Sequence, residues 1–136
     1  MRQAASDLYA AVDGDPAHFA GIYSTDEGGR WRIVVLFLGD EPPASVVTTV
    51  PADVPVEWLK ADYSESQLLS VRARVLAFWQ ANDPDRSQVE SIALDTVNNR
   101  IRVEFADKDS PELRSKMAAE FGPIVTFTVV PRATSI

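Results

Sequence analysis

The chain of 136 residues contains no cysteine. Disulfides, thiol nucleophiles and cysteine zinc sites are therefore excluded, while the compartment stays open, because many exported bacterial proteins also do without cysteine. Histidine occurs once, at His18. A lone imidazole ahead of a strand, with no partner at fixed spacing, reads as a surface or edge residue rather than a triad member. Long hydrophobic runs are missing: the longest strictly apolar stretch, IVVLFL at 33–38, is far too short to span a bilayer. Positive charge is scarce as well. Thirteen Lys and Arg stand against 20 Asp and Glu, a net charge of −7 that repels phosphate backbones and anionic lipid and attracts cations or basic partners. Neither nucleic acid nor membrane insertion is expected.

Catalytic signatures are absent too. EGGR at 27–30 lacks the spacing of a phosphate loop and lies between two predicted strands. DGD at 13–15 and DKDS at 107–110 have neither the central glycine nor the distal glutamate of a calcium loop, and read as helix caps and turns. No serine lies in a G-x-S-x-G elbow. Asp53, Glu57, Asp62 and Glu65 gather around a predicted strand, but nothing fixes their separation or desolvates one of them, so they read as solvated acidic residues. Trp31 between Arg30 and Arg32 reads as a hairpin aromatic with snorkelling neighbours rather than a base-stacking platform. No catalytic residue, cofactor or metal is expected, and the chain reads as a non-enzyme.

What is present is secondary-structure patterning. Ala5, Leu8, Tyr9 and Val12 recur at helical spacing, and Asp13-Gly14-Asp15-Pro16 stops the helix. HFAGIYS and RWRIVVLFLG flank a glycine-rich connection and predict a hairpin turning near Gly28-Gly29. Its second strand is apolar on both faces, as for a central strand covered twice, or one covered once and lined by a partner. A connector begins at Pro42-Pro43, and a strand follows over 54–60. Ser64 and Gln67 form a capping box ahead of a helix over 64–81, with Leu68, Val71, Val75 and Trp79 on its apolar stripe. ESIALDTVNNRIRVEF at 90–105 predicts a second hairpin, turning at Asn98-Asn99. Asp109 or Ser110 caps a helix with Pro111 in its first turn and Leu113 and Met117 facing inward, ended by Gly122-Pro123. IVTFTVV, from 124, makes a last strand.

Hairpin, connector and strand recur in the same order in both halves, joined by the long helix. An internal duplication of a ββαβ unit would produce this order, and so would two separate hairpins. The fold class expected is α+β: a mainly antiparallel sheet built from the two hairpins and additional strands, packed by two main helices. At this length a folded chain buries roughly two-thirds of the surface its unfolded form exposes. A single domain over 1–136 is expected, with an N-terminal helix and linker at 1–15 and a loose tail at 131–136.

HFAGIYSTDEGGRWRIVVLF, YSESQLLSVRARVL and VESIALDTVNNRIRVEF, followed by a helix and a strand, resemble the pro-regions of secreted bacterial chymotrypsin-like serine proteases of the alpha-lytic protease and streptogrisin type. The likeness covers about residues 18 to 130. It implies a non-enzymatic role, assisting folding of a protease and then occupying its cleft through the final strand and tail. Carried over by position, Ile124, Thr126, Thr128 and Val130 belong to the pairing strand and PRATSI is the tail. The likeness also implies export, with the signal outside these residues, since MRQAASDLYAAV lacks the apolar core of about 7 to 15 residues that a secretory signal needs; a cytoplasmic location stays open. No protease domain is present in the chain, so a stand-alone relative with a different partner is also open. Two function classes follow: a protein-interaction domain, inhibitory or chaperone-like, and a small-ligand carrier or sensor with a pocket lined by Trp31, Phe37, Trp58, Phe78 and Trp79.

Overall fold

The computed structural model describes residues 2–84, 88–106 and 111–129. The elements run α1 (Arg2–Asp13), β1 (Phe19–Thr25), β2 (Arg32–Phe37), α2 (Ala44–Val47), β3 (Val56–Lys60), α3 (Glu65–Asn82), β4 (Val89–Asp95), β5 (Arg100–Phe105), α4 (Pro111–Phe121) and β6 (Val125–Val129). The fold is α+β. Two compact units divide it, residues 1–67 and 68–136, with α3 beginning in the first and running into the second.

Each unit builds a three-stranded sheet, ordered β1-β2-β3 in one and β4-β5-β6 in the other. The hairpins, expected to share one sheet, thus occupy two. In each sheet the hairpin is antiparallel, and the third strand joins the hairpin's second strand in parallel. A parallel neighbour cannot be reached by a tight turn, so a crossover segment must intervene. That segment holds the one-turn α2 in the first unit and α4 in the second.

The likeness of the two units extends to register. Phe19 pairs with Phe37 and Gly21 with Leu36, with a bulge between Phe19 and Gly21. Val89 pairs with Phe105 and Ser91 with Glu104, with a bulge between Val89 and Ser91. Beyond the bulge, Leu38 N–H donates to His18 O at 2.9 Å, and Ala106 N–H to Gln88 O at 2.9 Å. The parallel ladder begins at Ile33 with Val56 in one unit and at Ile101 with Val125 in the other. One ββαβ arrangement is built twice, despite crossovers of different length.

Burial follows this arrangement. Leu8 and Val12 of α1 pack with Phe19, Ile33, Val35, Phe37 and Val54, with Trp58 at the margin of the cluster. The opposite face of β2 is buried as well, through Val34 and Leu36, so the doubly apolar strand is indeed central and covered twice. In the second unit Ile101, Val103 and Phe105 are fully buried, whereas Arg100, Arg102 and Glu104 lie half-exposed between them. Leu113 and Met117 of α4 are buried, and Phe121 meets Phe78 edge-on at 5.5 Å.

Local signals account for the element boundaries. Ser64 N–H donates to Gln67 Oε1 at 2.8 Å and Gln67 N–H to Ser64 Oγ at 3.1 Å, closing the capping box. Ser66 N–H also donates to Pro16 O at 3.0 Å, tying the start of α3 to the loop after α1. Gly28 and Gly29 take φ of 77° and 78°, and Asn99 takes 57°, as the two turns require. Along α3, Leu68 and Val75 are buried, while Val71 and Trp79 are only half-buried. The cap expected at Asp109 or Ser110 and the tail at 131–136 fall outside the described residues.

Val75, without exposure, and Leu76, 42% exposed, are adjacent on α3. Val75→Asp should cost about 3 kcal/mol or more by burying an unpaired charge. Leu76→Asp should stay within about 0.5 kcal/mol of the parent. Urea unfolding of the two variants checks the contrast.

Candidate functional site: the open edges of the two sheets

A three-stranded sheet has two edges, and each of these sheets treats its two edges differently. On β1 and β4 the register shifts described above put a bulge at the start of the edge strand, which raises the local twist there, while Gly21 to Thr25 and Ser91 to Asp95 stay in regular register beyond it. β3 and β6 carry no such shift: each pairs in continuous register over five residues and, among the described residues, with one neighbour.

The direction of the free backbone groups follows from the ladder. Ile33 N–H donates to Pro55 O at 2.9 Å, and Ala61 N–H to Phe37 O at 2.8 Å. Alternate residues of a strand face the same neighbour, so Glu57 and Leu59 turn their amides to β2, and Val56, Trp58 and Lys60 turn theirs to the open edge. β6 has the same phase. Val125 spends its N–H on Gly122 O, and Thr126 Oγ1 lies 3.5 Å from Ile101 O. Thr126 and Thr128 therefore face β5 with their amides, while Phe127 and Val129 offer theirs outward.

The four residues expected to meet a partner are placed as follows. Ile124 is buried in the 3-10 turn that leads into β6. Thr126 and Thr128 are exposed, in register with Arg102 and Glu104 on the polar face of the sheet. Val130 lies outside the described residues. Phe127 points to the opposite face, 6.0 Å from Phe105 between ring centres, and Val129 is 45% exposed. The polar face carries an ionic cluster, since Arg102 lies 3.6 Å from Asp95 and 3.2 Å from Glu104.

The side chains considered for chemistry are dispersed. His18 Nδ1 lies 2.8 Å and 2.9 Å from the two carboxylate oxygens of Asp15. Asp15 O also accepts the N–H groups of His18 and Phe19, so the pair closes an exposed turn. Glu57 accepts from Arg32 Nε at 2.8 Å, joining β3 to β2, and this hydrogen bond raises the pKa of Arg32. Among the described residues no group of three or more His, Asp or Glu is placed to hold a metal ion.

The five aromatics considered for a pocket have separate surroundings. Trp31 is exposed beside the first hairpin turn, Phe37 is core, and Trp58 is half-buried on β3. Phe78 packs on Phe121, and Trp79 Nε1 donates to Asp83 at 2.9 Å. A cavity of about 110 Å3 is lined instead by Asn82, Gln88, Glu112, Leu113 and Lys116. It is polar, and far smaller than the roughly 300 to 1,000 Å3 of ordinary ligand pockets.

Sequence reasoning located β6 and missed the edge on β3. The signals were there: Pro55 directly precedes the strand and Lys60 ends it, and proline and lysine are common devices of edge strands. Comparison with protein-family models and with curated proteins finds no match.

Asp83, buried after the end of α3, holds the entry to β4. It accepts from Trp79 Nε1, from Gln88 N–H at 3.0 Å and from Gln88 Nε2 at 3.3 Å. Asp83→Ala strands these donors and should cost about 2 kcal/mol or more, measured by urea unfolding.

Proposed function

We propose that the chain is a non-catalytic protein-interaction domain, of the kind represented by protease pro-regions, and that it binds its partner by adding a strand to β6. The observation that carries this reading is the one-sided pairing of β6. Its outward amides at Phe127 and Val129 are unused by the sheet, and its register is free of the bulges found at the start of β1 and β4. Strand addition draws affinity from main-chain hydrogen bonds and specificity from alternating side chains. Here a partner strand would meet the threonine row on one face and Phe127 and Val129 on the other.

The resemblance of the hairpins and the capped helix to pro-regions of alpha-lytic protease type supplies the partner class: a secreted bacterial chymotrypsin-like serine protease. It also supplies the proposed roles, assistance in folding or inhibition after folding, and the proposed location outside the cytoplasm.

The test uses a protease of that class as probe, measuring its residual activity and its refolding yield with and without the chain. Inhibition, or a raised yield, is expected from the parent. Val129→Pro removes one outward donor without touching the β5–β6 ladder. It should weaken binding by roughly fivefold at an unchanged melting temperature. Thr128→Pro, whose amide faces β5, should lower the melting temperature instead. Loss of neither inhibition nor yield in Val129→Pro would contradict binding through this edge. Hydrolysis of an ester, peptide or phosphate substrate by the pure chain, abolished in His18→Ala, would contradict the non-catalytic reading.

A further inference from the structure

The repeated architecture leaves a second open edge, on β3, and the two units differ sharply in charge. Residues 1–67 hold 11 Asp and Glu against 4 Lys and Arg, a net of −7; residues 68–136 hold nine of each, a net of zero. All of the chain's net charge belongs to the unit whose sheet ends at β3. We propose that this edge is a binding site for a cationic, extended polypeptide segment, which pairs with β3 through the outward amides of Val56, Trp58 and Lys60.

The register describes the segment that fits. On one face, Ile22, Val35 and Trp58 stand side by side across the sheet, and Trp58 is half-buried at the end of the row. An apolar side chain in the added strand extends this row over the indole. On the other face, Gly21, Leu36 and Leu59 form the neighbouring row, which ends at Leu59, 38% exposed, with Glu57 beside it. A lysine or arginine there lays its methylenes on Leu59 and its charge near Oε1 of Glu57, the carboxylate oxygen opposite the one that Arg32 engages at 2.8 Å. Asp53 and Asp62, exposed just before and after the strand, add to the same field. Lys60 does not oppose it, because its ammonium lies 3.4 Å from Asp40. The segment therefore alternates apolar and basic residues. The second unit, with no net charge, supplies no comparable net field at β6.

The experiment uses the full chain and a blocked synthetic peptide of about eight residues, alternating lysine and valine. A glutamate–valine peptide tests charge, and a lysine–valine peptide N-methylated at alternate residues tests main-chain pairing at constant charge. Amide hydrogen exchange is followed by NMR. With the lysine–valine peptide, exchange at Val56, Trp58 and Lys60 should slow at least tenfold, while Glu57 and Leu59, already bonded to β2, stay unchanged. Affinity should fall several-fold between about 50 and 200 mM salt. The glutamate peptide should not bind, and N-methylation should weaken binding about tenfold. Lys60→Pro should weaken it roughly fivefold with the far-ultraviolet spectrum unchanged. Equal binding of the N-methylated peptide, or absence of binding by the unmodified one, would overturn the proposal. So would protection at Phe127 and Val129 in place of β3, which would leave the reading of β6 intact.

Discussion

A parallel third strand is the constraint on which the rest depends. Once β1 and β2, or β4 and β5, have folded into a hairpin, the sheet can grow only at the hairpin's first or second strand. Here it grows at the second, through a crossover, and stops. The central strand is then satisfied on both sides. In the first unit this is the strand whose five residues from Ile33 to Phe37 are all buried. Every backbone donor and acceptor that the sheet leaves unused is displaced to its two rims, and a bulge marks the start of one of them. The other rim is a short, unbulged strand with alternate amides directed outward, and the repeated arrangement produces it twice.

The two units differ where the shared architecture leaves them free to do so. Buried positions correspond closely: Ile33, Val35 and Phe37 have Ile101, Val103 and Phe105 as counterparts in register. The exposed rows do not. Glu57 and Leu59 on β3 stand where Thr126 and Thr128 stand on β6; apart from these edge rows, the second face of the central strand also departs, with buried Val34 and Leu36 of β2 where β5 has half-exposed Arg102 and Glu104. Core packing tolerates little change in volume, whereas solvent-facing positions on an edge tolerate almost any residue. Differences concentrated there alter which strand each edge accepts without altering the sheet that presents it.

Much of this was legible in the sequence. The capping box at Ser64 and Gln67, the glycine pair at 28 and 29 and the Asn98-Asn99 turn all place boundaries through local chemistry, and local chemistry is what a sequence displays directly. The repeated order of hairpin, crossover and strand was visible too. Sheet membership was not, because the alternation in VEWLK or VTFTV says which faces are apolar and nothing about direction or neighbour. By sequence alone both hairpins are assigned to one sheet. Nor did the threonines of β6 reveal that their amides turn inward; that phase is set by pairing with β5. Val71 and Trp79 lie on the apolar stripe of α3 by periodicity yet remain half-buried, since the width of a stripe is decided by what packs on it.

The central claim, that β3 and β6 end their sheets with alternate amides unused, is tested most directly by amide hydrogen exchange in the free chain, read residue by residue under native conditions. An alternating pattern is expected: slow exchange at Glu57, Leu59, Thr126 and Thr128, and fast exchange at Val56, Trp58, Lys60, Phe127 and Val129. Uniformly slow exchange along either strand would mean that the edge is already occupied, and would contradict the account.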